Sequence, residues 1–415
     1  MTAKLRVLMV SDVSPSSPDG GGERMLWEHA SRLAARGHDV RVLYRSPDGE
    51  AGPRLEREGV HIRRFSVGRR SLPGFVLSSI LAARRATTAE LRRGGADVLH
   101  LHQPLAGYGA LASPAAHALP SLYTFHSPAP LEYRSRRGMT THHRGGWTGH
   151  LGFAALWLIE RACLRRARAI HVLSDYSAEL LWKLYRVPGE RIVKIPGAAD
   201  TARFRPAADR RAVKQALGLP TDRPVLLTVR NLEARMGLDL AIRAMAVLKR
   251  ELPEALLLIG GRGSVRRELE SLSASLGLDG HVRFLGFILD TALPLYYQAA
   301  DLFVLPTREL EGFGLVTVEA LACGTPVLGT PVGATPEILL PLSPSLVFRS
   351  LAPATMAEDI RRFVESARRQ PEAQARLREA CRRHVESRYA WDLAMDTLEG
   401  TLAGFAGAPA RATVP

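Results

Sequence analysis

Glu311-Gly-Phe-Gly-Leu-Val-Thr-Val-Glu319, continuing Ala-Leu-Ala-Cys-Gly-Thr-Pro-Val327, is the stretch on which the reading of this chain turns. Just before it, Asp301-Leu-Phe-Val-Leu-Pro306 is an apolar run of the kind buried in a parallel sheet. Gly312 and Gly314 allow a tight turn and a close approach of backbone to ligand. Leu315 to Ala322 predicts a short helix, stopped by Gly324 and Pro326. A strand, a glycine turn and a helix N-terminus present free N–H groups and a dipole to an anion. Glu311 and Glu319 bracket that turn. A carboxylate is a poor phosphate ligand but a good acceptor for sugar hydroxyls. Backbone suited to phosphate, between two hydroxyl acceptors, points to a nucleotide-sugar site.

Strands and helices alternate on both sides of this stretch. Leu5 to Val10, His38 to Tyr44, Val60 to Phe65, Ala96 to His100, Ser121 to Phe125 and Ile170 to Leu173 read as strands of a first α/β series. Pro224 to Val229, Ala255 to Ile259, His281 to Leu285, Leu302 to Leu305 and Pro326 to Gly329 form a second. Ile195-Pro-Gly-Ala-Ala-Asp200 lies between them as a linker. The length of 415 residues suits two domains of about 200 each, expected at 1–195 and 196–385.

Gly20-Gly-Gly-Glu-Arg24 opens a helix running to about Arg36. A dinucleotide fingerprint would place its glycines directly after the first strand and spaced, not contiguous, so a dehydrogenase is excluded. His126 falls just past the end of a strand, where open α/β sheets bind ligands. Residues 134–150 form a basic, glycine-rich loop suited to an acceptor or a membrane interface.

Three scattered cysteines build neither a disulfide framework nor a zinc site, and a reducing cytosol is expected. The first apolar segment is too short for a signal peptide, and no run approaches the length of a membrane span. The net charge of +15 is uneven: residues 1–195 carry 29 Lys+Arg against 16 Asp+Glu, and the remainder is nearly balanced. That predicts an anionic partner for the first half, either a membrane surface or a phosphorylated acceptor. Nucleic acid is disfavoured because the arginines are scattered and form no reading motif.

With its E-x7-E segment, and with GGGER at 20–24, TFHSP at 124–128, HVLSDYS at 171–177, IPGAADTARF at 195–204 and VRFLGF at 282–287, the chain resembles glycosyltransferase family 4 over nearly its whole length. The resemblance implies a GT-B fold, two Rossmann-like domains facing across a cleft, with a helix at 386–403 crossing back to the first and a tail at 404–415. It implies a retaining hexosyltransferase using a nucleoside diphosphate sugar, UDP-sugar first, and an acceptor hydroxyl. By similarity Glu319 accepts from the ribose, and Glu311 holds a hydroxyl of the transferred sugar. The backbone of Gly312, Phe313, Gly314, Leu315 and Val316 holds sugar and diphosphate, and Phe287 and Ile288 meet the base. His126 reaches the sugar, and Gly21 and Gly22 border donor and acceptor.

One departure matters. The family's G-R-L-x-x-x-K-G places Arg and Lys on the diphosphate, where this chain has Asn231 and Met236. Arg230 and Arg235, each one residue away, are the replacements, with Arg235 catalytic beside His126 and Glu311 and with Arg230 and Asn231 on the donor. No Asp-x-Asp occurs, so neither metal nor other cofactor is expected at the diphosphate, and activity is expected to survive EDTA. An NDP-sugar epimerase and a non-catalytic sugar-nucleotide-binding protein are the alternatives.

Overall fold

Two parallel sheets carry the molecule, each in its own unit: Met1–Pro196 with Ala394–Pro415, and Gly197–Leu393. The computed structural model describes residues 4–15, 20–46, 52, 54–68, 71–136 and 147–406. Most of the predicted basic loop (137–146) and all but three residues of the predicted tail (407–415) lie outside them.

The first unit contains β1 (Arg6–Ser11), β2 (Asp39–Arg45), β3 (Leu55–Arg57), β4 (Val60–Phe65), β5 (Val98–His102), β6 (Ser121–Phe125), β7 (Ala169–Val172) and β8 (Ile192–Lys194). They lie in the order β3-β4-β2-β1-β5-β6-β7-β8, parallel except for the β3–β4 pair. Residues of β5, β6 and β7 are all buried, as expected of strands covered on both faces. Alternation sends Leu99, Leu101, Tyr123, Phe125, Ile170 and Val172 into one apolar layer. It sends His100, His102, Thr124 and His171 to the other face, and the parallel register sets His102 beside Thr124 and Thr124 beside His171. The helix Gly21–Ala35 buries Met25, Leu26, His29, Ala30 and Leu33, a single helical stripe.

The second unit contains β9 (Val225–Val229), β10 (Leu256–Gly260), β11 (Val282–Gly286), β12 (Leu302–Leu305) and β13 (Val327–Gly329), all parallel in the order β11-β10-β9-β12-β13. Strand order reverses between β9 and β12, the place where doubly wound sheets open a crevice at their C-terminal ends. In the first unit the reversal lies between β1 and β5.

The C-terminal segment differs from expectation. In place of one helix over 386–403, the helix Pro371–Arg388 runs past the expected start, and a separate helix spans Trp391–Ala406. The break has a cause: Ala199 N–H donates to the Tyr389 carbonyl at 2.8 Å, and Ala390 bridges Ala199. The last helix runs on through 404–406, with Leu402 fully buried, so any tail begins later than the composition suggests.

Candidate active site

At the β9/β12 switch point the two following loops are tied together. Arg308 N–H donates to the Arg235 carbonyl at 2.9 Å, and a side chain at Gly237, where φ is 67°, would strike the Pro306 carbonyl. Only glycine allows this approach. The loops after β9, β10 and β11 join in the same way: Arg230 N–H donates to Gly260, Leu232 to Arg262, and Gly261 to Gly286.

Glu311 sits in this crevice, almost fully buried. Its Oε2 accepts from Arg230 Nη2 at 2.7 Å and from the Thr307 hydroxyl at 2.6 Å. Arg230 Nη2 also lies 2.8 Å from the Met236 sulfur, so its guanidinium occupies the neighbourhood of the side chain at 236. Its Nη1 is buried without a hydrogen-bond partner. Arg235 serves a different group: its Nη1 donates to the Leu310 carbonyl at 3.0 Å. Leu310 has φ of 59°, a left-handed conformation that costs a non-glycine residue on the order of 1 kcal/mol or more. The strained residue immediately precedes Glu311. Asn231 is exposed on the same loop.

Gly314, at φ 87°, starts the helix Leu315–Ala322, and Thr317 N–H closes its first turn onto the Gly314 carbonyl. Gly312 to Val316 therefore enter the helix beside Glu311, as the glycine spacing suggests. Glu319 is buried inside the helix, and its Oε2 accepts from the Tyr297 hydroxyl at 2.9 Å. Phe287 is exposed after β11 with the Arg262 guanidinium 4.0 Å from its ring centre, and Ile288 lies close to Gly260. Arg230, Asn231, Phe287, Ile288 and Gly312 to Val316 thus all follow the C-terminal ends of β9, β11 and β12. Thr307 and Tyr297, which orient the two carboxylates, were not singled out from sequence; nothing in their local pattern marks them, because they reach Glu311 and Glu319 only through the fold.

In the first unit, His126 follows β6, and its Nε2 lies 3.1 Å from His102 Nδ1. Burial pushes the His126 imidazole down to about 3, helped by His171, so it is neutral at ordinary pH. Gly22 lies against both His126 and the Gln103 amide. Gln103 Oε1 accepts from the Ser11 hydroxyl at 2.9 Å and the Asp12 N–H at 3.3 Å. Its backbone has φ of 62° and ψ of 157°, a region glycine alone visits readily. His126, Gly22 and Gln103 form the first unit's candidate site.

Two family patterns divide the chain. That described as "Glycosyltransferase Family 4" matches residues 19–203, and "Glycosyl transferases group 1" matches 209–384. A D-inositol 3-phosphate glycosyltransferase of Thermobispora bispora is 31% identical over 337 residues, 77% of this chain and 76% of that protein. The chain belongs to glycosyltransferase family 4.

The GT-B assignment rests on solved structures as well. Sucrose-phosphate synthase from Thermosynechococcus elongatus is similar over 97% of this chain and all of that one, with a TM-score of 0.82 and 24% identity. Anabaena HepE, solved in complex with UDP and glucose, covers 96% of this chain and 100% of its own at a TM-score of 0.75 and 18% identity. This family 4 glycosyltransferase has, among its described residues, no helix long and apolar enough to cross a membrane.

Proposed function

We propose that the enzyme transfers a hexosyl group, with retention, from a nucleoside diphosphate sugar to an acceptor hydroxyl. The observation that carries this reading is the buried Arg230–Glu311 pair beside the glycine turn and helix start at Gly314. Retaining hydrolases use a free carboxylate nucleophile close to the anomeric carbon. Glu311 is committed to a guanidinium and a hydroxyl, which suits it to orienting a sugar hydroxyl and suits it poorly to attack.

The anomeric C–O bond to the diphosphate breaks, the acceptor oxygen bonds to that carbon from the same face, and the acceptor proton passes to the leaving phosphate oxygen. Arg230, Arg235 and the N–H groups at the start of the Leu315–Ala322 helix supply countercharge for the diphosphate as it leaves. Neither Mg2+ nor Mn2+ has a role in that account. His126, neutral, offers a ring nitrogen to a substrate hydroxyl at the first unit's site.

UDP-sugar is the favoured donor, in keeping with the UDP and UDP-glucose complexes of HepE. Relatives named for D-inositol 3-phosphate favour an acceptor that carries phosphate, which suits the basic first unit. The helix Trp147–Arg166 exposes Leu151 and Leu158 together with Arg165 and Arg166, which supports a cytoplasmic enzyme resting on an anionic membrane.

The deciding experiment incubates the enzyme with a panel of NDP-sugars, with and without Mg2+ and Mn2+, and follows slow hydrolysis and transfer by NMR. Release of the sugar with its α-configuration kept, from a UDP-sugar and without added metal, is the expected result. Binding without turnover would replace this reading by a sugar-nucleotide sensor; sugar interconversion without acceptor would replace it by an epimerase; inverted product would remove the retaining mechanism.

A further inference from the structure

We propose that His29, His100 and His102 form a binding site for a late first-row transition ion of the zinc class inside the first unit. The proposal is independent of the donor reading above. One ring nitrogen from each of the three falls within 4.8 Å of the other two, and all three residues are fully buried.

The hydrogen bonds around the cluster decide which nitrogens face inward. His171 Nε2 lies 2.9 Å from the Ile195 carbonyl, which only accepts, so that nitrogen carries the proton. A neutral His171 then accepts at Nδ1 from the Thr124 hydroxyl, 3.1 Å away. Having given up its one proton, Thr124 Oγ1 accepts from His100 Nε2 at 2.7 Å. His100 Nδ1 is left with a lone pair, buried and without a hydrogen-bond partner. His102 Nε2 is likewise buried and unpartnered, while its Nδ1 faces His126.

With nothing between them, these two nitrogens are costly. If His102 carries its proton on Nδ1, two lone pairs face the same space. If it carries it on Nε2, a buried N–H is wasted, at about 1–3 kcal/mol. A cation satisfies both lone pairs at once. It also produces the arrangement usual for ligating histidines, in which the second ring nitrogen donates outward: His100 to Thr124 and His102 to His126.

The donor set selects the metal. Three imidazoles without a carboxylate favour zinc, copper, nickel or cobalt over Mg2+ and Ca2+, which require oxygen. Zinc–nitrogen bonds of about 2.0–2.1 Å ask the rings to draw closer by a small rotation, and a fourth position stays open to water. Because the ion requires a proton on His102 Nδ1, it fixes His126 Nε2 as an acceptor and leaves its N–H at Nδ1.

The test uses the full-length protein, stripped by chelator and reloaded with Zn2+ or Co2+. We expect one ion retained per chain after dialysis, no displacement by excess Mg2+, and an X-ray absorption first shell dominated by imidazole nitrogen. His29→Leu should abolish retention. Thr124→Val touches no ion yet should weaken it about tenfold or more by freeing the His100 tautomer. His61→Ala, at an exposed imidazole elsewhere, should change nothing. A wild-type protein that retains no ion, an oxygen or sulfur first shell, or a folded His29→Leu variant that binds as well as wild type overturns the proposal. Should that variant not fold, the absorption spectrum of the wild type decides alone.

Discussion

Arg230 and Met236 stand six residues apart, and the guanidinium of the first lies 2.8 Å from the sulfur of the second while pairing with Glu311 at 2.7 Å. The family's G-R-L-x-x-x-K-G pattern, by resemblance, puts a cation at position 236, and here the Arg230 guanidinium lies in that neighbourhood. Removing Arg230 should leave a buried carboxylate unpaired, at about 3–5 kcal/mol. Arg230→Met should lower both the unfolding temperature and kcat/KM. The double change Arg230→Met, Met236→Lys restores a cation beside Glu311 and should recover part of both losses. A double-mutant cycle on kcat/KM checks this, and strict additivity of the two changes would refute the exchange.

Glu311→Gln keeps shape and removes charge. If Glu311 orients a hydroxyl, the variant loses a charge-assisted hydrogen bond of about 1.5–3 kcal/mol, or roughly 10- to 150-fold in kcat/KM, and still forms product of retained configuration. Mass spectrometry should find no glycosyl-enzyme in the wild type. A trapped covalent adduct at Glu311 would make it the nucleophile after all.

Much of this site was legible in the sequence, for physical reasons. Gly312, Gly314, Glu311 and Glu319 lie in one continuous stretch, so spacing alone set them around a strand, a turn and a helix. Both series of strands were legible, apart from β3 and β8, because buried parallel strands are nearly unbroken apolar runs, whereas β3 is exposed and β8 only half-buried. The direction of Arg230 was not: a side chain beside its aligned neighbour looks like a displaced clamp, and only the fold turns it onto Glu311. Arg235, whose spacing marks it as a clamp, also donates to the Leu310 carbonyl beside Glu311, a contact that the sequence does not show. The histidine cluster was invisible because His29 comes from the helix Gly21–Ala35 and His100 and His102 from β5, distant segments that only the fold brings together. His100 and His102, two residues apart in a strand, were the one local signal.

Exposed Leu151 and Leu158 beside Arg165 and Arg166 predict salt-sensitive binding to vesicles containing anionic phospholipid and little to neutral ones. Vesicle sedimentation measures it. Leu151→Ser with Leu158→Ser should weaken binding without altering turnover of a soluble acceptor. Binding indifferent to salt and to lipid charge would remove the membrane from the account.

Glu160 predicts a pH dependence of stability. It is buried, donated to by the hydroxyls of Tyr185 at 2.5 Å and Tyr123 at 3.3 Å and by the Ala129 N–H at 3.1 Å. Burial nevertheless pushes its carboxyl up to about 8. The folded state therefore binds a proton that the unfolded state, with the usual carboxyl value near 4.5, has released between those two pH values. Stability from this group is full below about pH 4.5 and is lost as pH rises through about 8. Glu160→Gln mimics the protonated form. Its denaturation midpoint relative to wild type should rise between pH 5 and pH 9, by the equivalent of roughly several kcal/mol. A pH-independent difference would mean the carboxylate is ionised in the fold.

Gln103 tests whether backbone strain is held in the first unit's site. At an ordinary position glycine is the less stable choice by about 0.5–1 kcal/mol relative to alanine. Gln103 has φ of 62° and ψ of 157°, where any side chain is strained. Both Gln103→Ala and Gln103→Gly remove the hydrogen bonds to Ser11 and Asp12, so the comparison between them isolates the backbone. Gln103→Gly should therefore be the more stable of the two, by about 1–3 kcal/mol in urea unfolding. Both should lose activity, because each removes the amide that lies against Gly22 beside His126. A stabler alanine variant would show the segment relaxing out of its left-handed conformation. A stabler glycine variant with low turnover would show that the strain is retained for the side chain it positions.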